Sequence, residues 1–139
     1  MENNKIKTAL CSFGMSGWVF HAPFIALHPG FQLQGVWERT KNRAQEKYPD
    51  TKNYRTLEEL LSDEEVELVV VNTPSVTHYA YAKQCLEAGK NVIVEKPFTA
   101  TSAEAEELIG LAKKNGVQLS VYHNRRFDSD YRKIGRAHV

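Results

Sequence analysis

The sequence predicts an α/β fold, a doubly wound parallel sheet, and three observations predict it. Strand-like and helix-like stretches alternate from one end to the other, the pattern of β–α–β crossovers. The most apolar strand-like stretch, "VELVVVNTP" (66–74), is near-continuous Val and Leu rather than alternating, as expected of a strand covered on both faces. A turn with two glycines, "SFGMSG" (12–17), separates the first strand pattern from the first helical one.

The elements follow in order. Lys5–Phe13 reads as a strand and the stretch after Gly17 as a helix broken near Pro23, since proline cannot sit deep in a regular helix. "FQLQGVW" (31–37) alternates like a second strand. Thr40 is placed to cap a helix that stops at Pro49, and "TKNY" (51–54) reads as a short third strand. "TLEE" (56–59) is a capping box that opens a brief helix to about Leu61. After the Val-rich strand, Thr77 starts a helix that ends at Gly89, and "NVIVEKP" (91–97) is the next strand. "TSAE" (101–104) is a second capping box; its helix buries Ala105, Leu108 and Ala112 and stops at Asn115-Gly116. "VQLSVY" (117–122) is the last strand.

Composition narrows the function. The chain has 139 residues, 42% hydrophobic and 25% charged, which suits one soluble domain with one core. The net charge is +1, and no run of Lys and Arg forms a basic face, so neither nucleic acid nor an anionic membrane is an expected partner. No stretch reaches the ~20 apolar residues of a membrane span, and "WVFHAPFIAL" lacks the cleavage pattern of a signal peptide. Cys11 and Cys85 sit in apolar segments without metal-ligand spacing and read as core thiols of a reducing compartment. The expected location is cytoplasmic, and no metal is expected.

In a doubly wound sheet, ligands bind beyond the carboxyl ends of the strands. Three loops carry chemistry there. Ser12-Phe13-Gly14-Met15-Ser16-Gly17 reads as S-x-G-x-x-G, the dinucleotide fingerprint with serine for its first glycine, before a helix whose free amides suit a diphosphate. An acid is expected at the end of the second strand to hold the adenosine ribose, and Glu38 stands there. Its neighbours Arg39 and Thr40 suit a 2′-phosphate instead, while Lys41 and Arg43 read as solvated loop charges. NADP is the preferred expectation and NAD the alternative. Asn72, Thr73 and Pro74 form a loop over the crevice, with His78 in the first turn of the next helix as a cofactor-side contact; His21 and His28 read as packing or surface residues. Glu95, Lys96 and Pro97 emerge at the end of a dry strand, at the mouth of the same crevice.

These residues resemble a known family. The S-x-G-x-x-G turn, "VNTPSVTHYAYAKQCLEAGKNVIVEKPFT" and "VYHNRRFDSDY" are similar to the Gfo/Idh/MocA oxidoreductases, over residues 5–133 and most of all to NADP-dependent scyllo-inositol dehydrogenases. The resemblance implies a Rossmann domain followed by a larger α+β substrate domain, and hydride exchange between nicotinamide and a sugar or cyclitol carbon. It implies that Lys96 hydrogen-bonds the reacting hydroxyl, that Glu95 helps position the cofactor, and that Pro97 holds the turn, with a cis peptide available to it. It also implies that Asn124 and Arg125 border the site. A small polyol or sugar is the expected partner of the full-length enzyme, which is expected to form a homo-oligomer.

The family's downstream Asp and His lie in its second domain. The chain is therefore expected to be the cofactor half of such an enzyme and to lack turnover by itself. The organisation read from this is a Rossmann domain over 1–124, the start of a connection over 125–133, and a non-native tail over 134–139, "IGRAHV", which matches nothing in the family. Two other classes compete: a nucleotide sensor without chemistry, and a methyltransferase using S-adenosylmethionine. Lys96 argues against the first. The low glycine content of the first loop and the E-K-P motif argue against the second.

Overall fold

A computed structural model describes residues 4–136. Six parallel strands form one sheet: β1 (Ile6–Leu10), β2 (Phe31–Trp37), β3 (Lys52–Tyr54), β4 (Leu68–Val71), β5 (Asn91–Glu95) and β6 (Leu119–Tyr122). Their order is β3-β2-β1-β4-β5-β6, the strand order of the dinucleotide-binding fold. Every pairing is parallel, and a register shift between Thr8 and Ala9 interrupts only the β1–β2 ladder. Strands are added outward in one direction from β1 and in the other from β4, so a crevice opens above the carboxyl ends of these two strands.

The helices are α1 (Ala22–Leu27), α2 (Arg43–Lys47), α3 (Leu57–Ser62), α4 (His78–Glu87), α5 (Ser102–Asn115) and α6 (Ser129–Arg136). One face of the sheet packs Val69, Val71, Val92 and Val94 against Leu57, Leu60, Ala82, Cys85, Leu86 and Leu108 of α3, α4 and α5. The other packs Leu10, Leu33, Val36 and Val70 against Ala22 of α1 and Ala44 of α2. Beyond α1 that second face is open, and a groove of about 170 Å³ runs over Thr8, Leu68, Val70, Ile93 and Tyr122.

The capping signals are honoured unequally. Thr101 and Glu104 form the reciprocal box that starts α5, and Gly116 closes the helix in the left-handed conformation with φ 65°. Thr56 caps α3 through the Glu59 amide, but the Glu59 carboxylate reaches back to the Arg55 N–H instead of that of Thr56. Thr40 caps nothing: Asn42 precedes α2, so the expected helix starts two residues late. The break expected near Pro23 is a change of helix type. Ser16–His21 has π-helical register, and Ala22 N–H bonds Gly17 O. Pro23 has no N–H to give to the turn before it, and the widened turn absorbs that loss. Ala105, expected in the core, is only half-buried. The end of α6 takes up residues 134–136 of the expected tail; the remainder lies outside the described residues.

Candidate functional site

The glycine turn is held by β4. Cys11 N–H bonds Val70 O (3.0 Å), which brings the end of β1 level with β4. The Ser12 hydroxyl accepts the Gly14 N–H at 3.2 Å, so serine in the first glycine's place closes the turn with its own side chain. Gly17 is needed for packing: a Cβ there would lie 2.4 Å from the main-chain oxygen of Ser12. Asn72 is buried and does not reach into the crevice with its amide nitrogen. It donates to Ser12 O (2.9 Å) and to Ser16 Oγ (3.3 Å), and Ser16 Oγ donates back to Asn72 O (3.2 Å). The Phe13 ring turns inward against Trp18 and Tyr48, with centroids at 5.4 and 6.4 Å.

At the end of β2, the buried Glu38 carboxylate accepts the Ala44 N–H at 3.0 Å. It therefore does the capping that sequence assigned to Thr40, from the position sequence assigned to the ribose ligand. Arg39, Thr40, Lys41 and Arg43 stand exposed around it. A cleft of about 430 Å³ runs from Cys11–Gly14 across Trp37–Lys41 and Arg43 to Thr73, Pro74, Thr77 and Tyr81. Lys41 and Arg43, read from the sequence as solvated charges, line it.

A second cleft of about 290 Å³ lies on the other side of the glycine turn and shares Thr73 with the first. Met15, Ser16, Phe20, Asn72, Ser75, His78, Glu95, Lys96, Tyr122, Asn124 and Arg125 line it. The Lys96–Pro97 peptide is cis. His78, expected as a cofactor-side contact, is buried, with Nδ1 2.7 Å from Pro97 O and Nε2 2.8 Å from Thr73 O. It thus ties the loops after β4 and β5 together from inside. Glu95 meets His21: His21 Nε2 is 2.7 Å from Glu95 Oε1, while Glu95 Oε2 accepts the Lys96 N–H at 3.1 Å. Burial lowers the His21 pKa and Glu95 only partly offsets this, so the neutral ring donates Nε2–H to the carboxylate. Its ring packs on Tyr122 at 4.5 Å. His21 is therefore neither a surface residue nor simple packing, but the partner of Glu95. The signal was present in "FHAP", because Pro23, the second residue of α1, goes with the change of helical register that ends at His21.

All the site residues expected from sequence line one cleft or the other except Gly17 and Pro97, which hold the surrounding loops. The two clefts flank the glycine turn and share Thr73, an elongated arrangement of the kind a dinucleotide needs. One end offers exposed cations and a hydroxyl, and the other offers a carboxylate beside an exposed ammonium. Among the described residues no His, Cys, Asp and Glu cluster could hold a metal, and no helix is long and apolar enough to cross a membrane.

Comparison with known proteins agrees with this geometry. Residues 6–123 match the family model GFO_IDH_MocA, described as an oxidoreductase family with an NAD-binding Rossmann fold. "Uncharacterized oxidoreductase C26H5.09c" of Schizosaccharomyces pombe is 47% identical over 131 residues, covering 91% of this chain and 36% of that protein. "scyllo-inositol 2-dehydrogenase (NADP(+)) IolW" of Bacillus subtilis is 41% identical over 129 residues, covering 93% and 36%. The crystal structure of an oxidoreductase from Bacillus cereus superposes with a TM-score of 0.87 at 35% identity, covering 94% of this chain and 39% of that one. The chain thus spans little more than a third of the length of these relatives. From the six-stranded sheet, the glycine turn, the E-K-P strand end and the match over residues 6–123, the chain belongs to the Gfo/Idh/MocA oxidoreductase family and carries its NAD-binding Rossmann fold.

Proposed function

We propose that this chain is the cofactor-binding portion of an NADP-dependent dehydrogenase that acts on a hydroxyl of a sugar or cyclitol. The observation that carries the reading is Lys96. Its ammonium is exposed on the rim of the second cleft, directly after a carboxylate that is itself held by His21. A binding module without chemistry has no need of a fixed ammonium there. The exposed cations after β2 favour a 2′-phosphate over a bare ribose, and the name of the IolW relative, an NADP(+) enzyme, points the same way.

The nicotinamide, when bound, supplies the two-electron redox chemistry. The chain's own residues do the rest. The Gly14–Ser16 turn offers amides to the diphosphate, and Glu95 and His78 brace the strand ends that frame the nicotinamide side. Lys96 donates a hydrogen bond to the reacting oxygen and stabilises negative charge developing on it. Asn124 and Arg125 border the substrate side. In this reading residues 1–124 are the Rossmann domain and 125–133 begin the connection onward. A cytoplasmic setting fits the two buried free thiols, and the full-length protein is read as a homo-oligomer. The chain alone is read as binding cofactor without turnover.

The test is Lys96→Met in the full-length protein, assayed on a panel of polyols. NADPH affinity should stay within about twofold while turnover falls by about 10²-fold or more, the range of a lost proton-handling group. Near-normal turnover would reduce Lys96 to a structural residue and favour a nucleotide sensor.

A further inference from the structure

We infer that Arg55 is a positioning residue for cofactor choice: its guanidinium holds the loop after β2 in the shape that presents Arg39, Thr40, Lys41 and Arg43 to a phosphate on the adenosine ribose. The inference rests on the NADP reading above and names the part of the fold that would enforce it.

Arg55 follows β3, the edge strand beside β2, so the parallel register brings it next to the loop that leaves β2. Its Nη1 donates to Glu38 O at 2.9 Å and to Lys41 O at 2.8 Å, and its Nη2 donates to Asn42 Oδ1. One planar group thus ties together both ends of the 38–41 turn. Asn53 adds a second tie, donating to Lys41 O at 2.9 Å and to Asn42 Oδ1. Arg55 is fixed in turn, because its N–H bonds the Glu59 carboxylate and its carbonyl accepts the Trp37 indole N–H at 3.1 Å. The Glu38 carboxylate fastens the far side through Ala44 N–H.

What this framework displays is unusual in charge. The chain is nearly balanced, with 18 basic and 17 acidic residues. Yet among the described residues none of the ion pairs involves Arg39, Lys41 or Arg43. Three cations crowd one rim of the cleft without a carboxylate to offset their repulsion. Glu38, their neighbour in sequence, is buried and bonded to main chain. Carbonyl and amide bonds from Arg55 and Asn53 hold the loop closed against that repulsion. A cluster held this way suits an incoming dianion such as a phosphate monoester. Lysine in place of Arg55 would keep the charge but not the fork, since an ammonium cannot span two carbonyls and an amide in one plane.

The experiment uses this chain, with Trp37 in the cleft wall as the fluorescence reporter. NADPH, NADH, 2′,5′-ADP and 5′-AMP are titrated against wild type, Arg55→Lys and Asn53→Ala. Arg55→Lys should weaken NADPH and 2′,5′-ADP by about tenfold, the worth of one charge-assisted phosphate contact, and leave NADH and 5′-AMP within about twofold. Asn53→Ala should shift affinities in the same direction by less, which keeps the question answerable if Arg55→Lys unfolds by circular dichroism. Unchanged preference in both variants, or equal loss for phosphorylated and unphosphorylated ligands, overturns the role of Arg55 alone. A wild-type chain that does not prefer 2′,5′-ADP to 5′-AMP overturns the NADP reading, and this inference with it.

Discussion

Replacing Gly17 by alanine sets two physical effects against each other, and the structure says which wins. Gly17 lies inside the first helical stretch, where alanine is favoured over glycine by about 1 kcal/mol. Propensity alone therefore predicts a more stable protein. The added Cβ, however, would sit 2.4 Å from Ser12 O and 3.0 Å from Asn72 Nδ2. The first neighbour is main chain at the end of β1 and cannot swing away. The helix must lift from the sheet, which costs about 1–3 kcal/mol as overpacking. It must also strain the Asn72–Ser12 bond, worth about 1 kcal/mol. Set against the propensity gain, the net is a loss of about 1–3 kcal/mol, or roughly 4–12 °C in Tm for a domain of this size. Gly14→Ala is the control. A Cβ there meets nothing closer than Ser12 Oγ at 3.5 Å, an ordinary contact, so stability should change by less than about 0.5 kcal/mol. The methyl would enter the first cleft, and NADPH should bind more weakly. Thermal unfolding by circular dichroism together with NADPH titration reads both variants. A Gly17→Ala protein as stable as wild type, or more so, would refute the packing role assigned to that glycine.

Three further outcomes are expected. Arg39→Ala in the full-length protein should weaken NADPH by about tenfold or more and NADH far less, read by titration; equal weakening would return cofactor choice to Glu38. Burial would raise the Asp63 pKa, but hydrogen bonds from Lys52, Tyr54 and the Glu65 amide outweigh it and hold the carboxyl down at about 2. Because the folded pKa lies below the unfolded one, this stabilisation is complete above pH ~4 and is lost as pH falls toward 2; Asp63→Asn should remove about 1–2 kcal/mol of acid dependence from the urea midpoint, allowing for the exposed Lys52, and an unchanged acid slope would contradict it. His21 titrates below its ordinary 6.5, so the unfolded chain takes up that proton more readily and stability falls as pH drops below about 6.5; a midpoint above 6.5 by NMR would show that Glu95 outweighs burial.

Much of the fold was legible because its signals are local. The Val-rich β4, the alternation of β2 and the "TSAE" box each depend on a few neighbouring residues, and each element stands where expected. The errors arose where one residue answers to two demands. Glu38 was assigned to a ligand because its place in the fingerprint fits one; it lines the first cleft, but one of its carboxylate oxygens also caps α2 through Ala44 N–H, a second demand that the sequence reading did not foresee. Thr40 has the chemistry of a cap, but the turn pinned by Arg55 delays the helix to Arg43. His21, read as a packing or surface residue, was underrated for the same reason, and the internal ties of His78 were not foreseen. A histidine's partners here lie 74 and 19 residues away, on strand ends that only the folded sheet brings near. The E-K-P motif stands where expected, at the end of β5, because the alternation of elements already implied a strand end there.

In the proposed function the two clefts that meet at Thr73 form a single dinucleotide site, with its 2′-phosphate end at β2 and its nicotinamide end at β5. Amide chemical-shift mapping of this chain tests it directly. On adding 2′,5′-ADP, shifts should cluster at residues 13–17 and 38–43 and leave β5 unchanged. On adding NADPH, the same residues should shift, joined by 72–74, His78 and 95–96. Shifts from 2′,5′-ADP at Glu95 and Lys96, or from NADPH confined to the open apolar groove over Leu68, Ile93 and Tyr122, would contradict it.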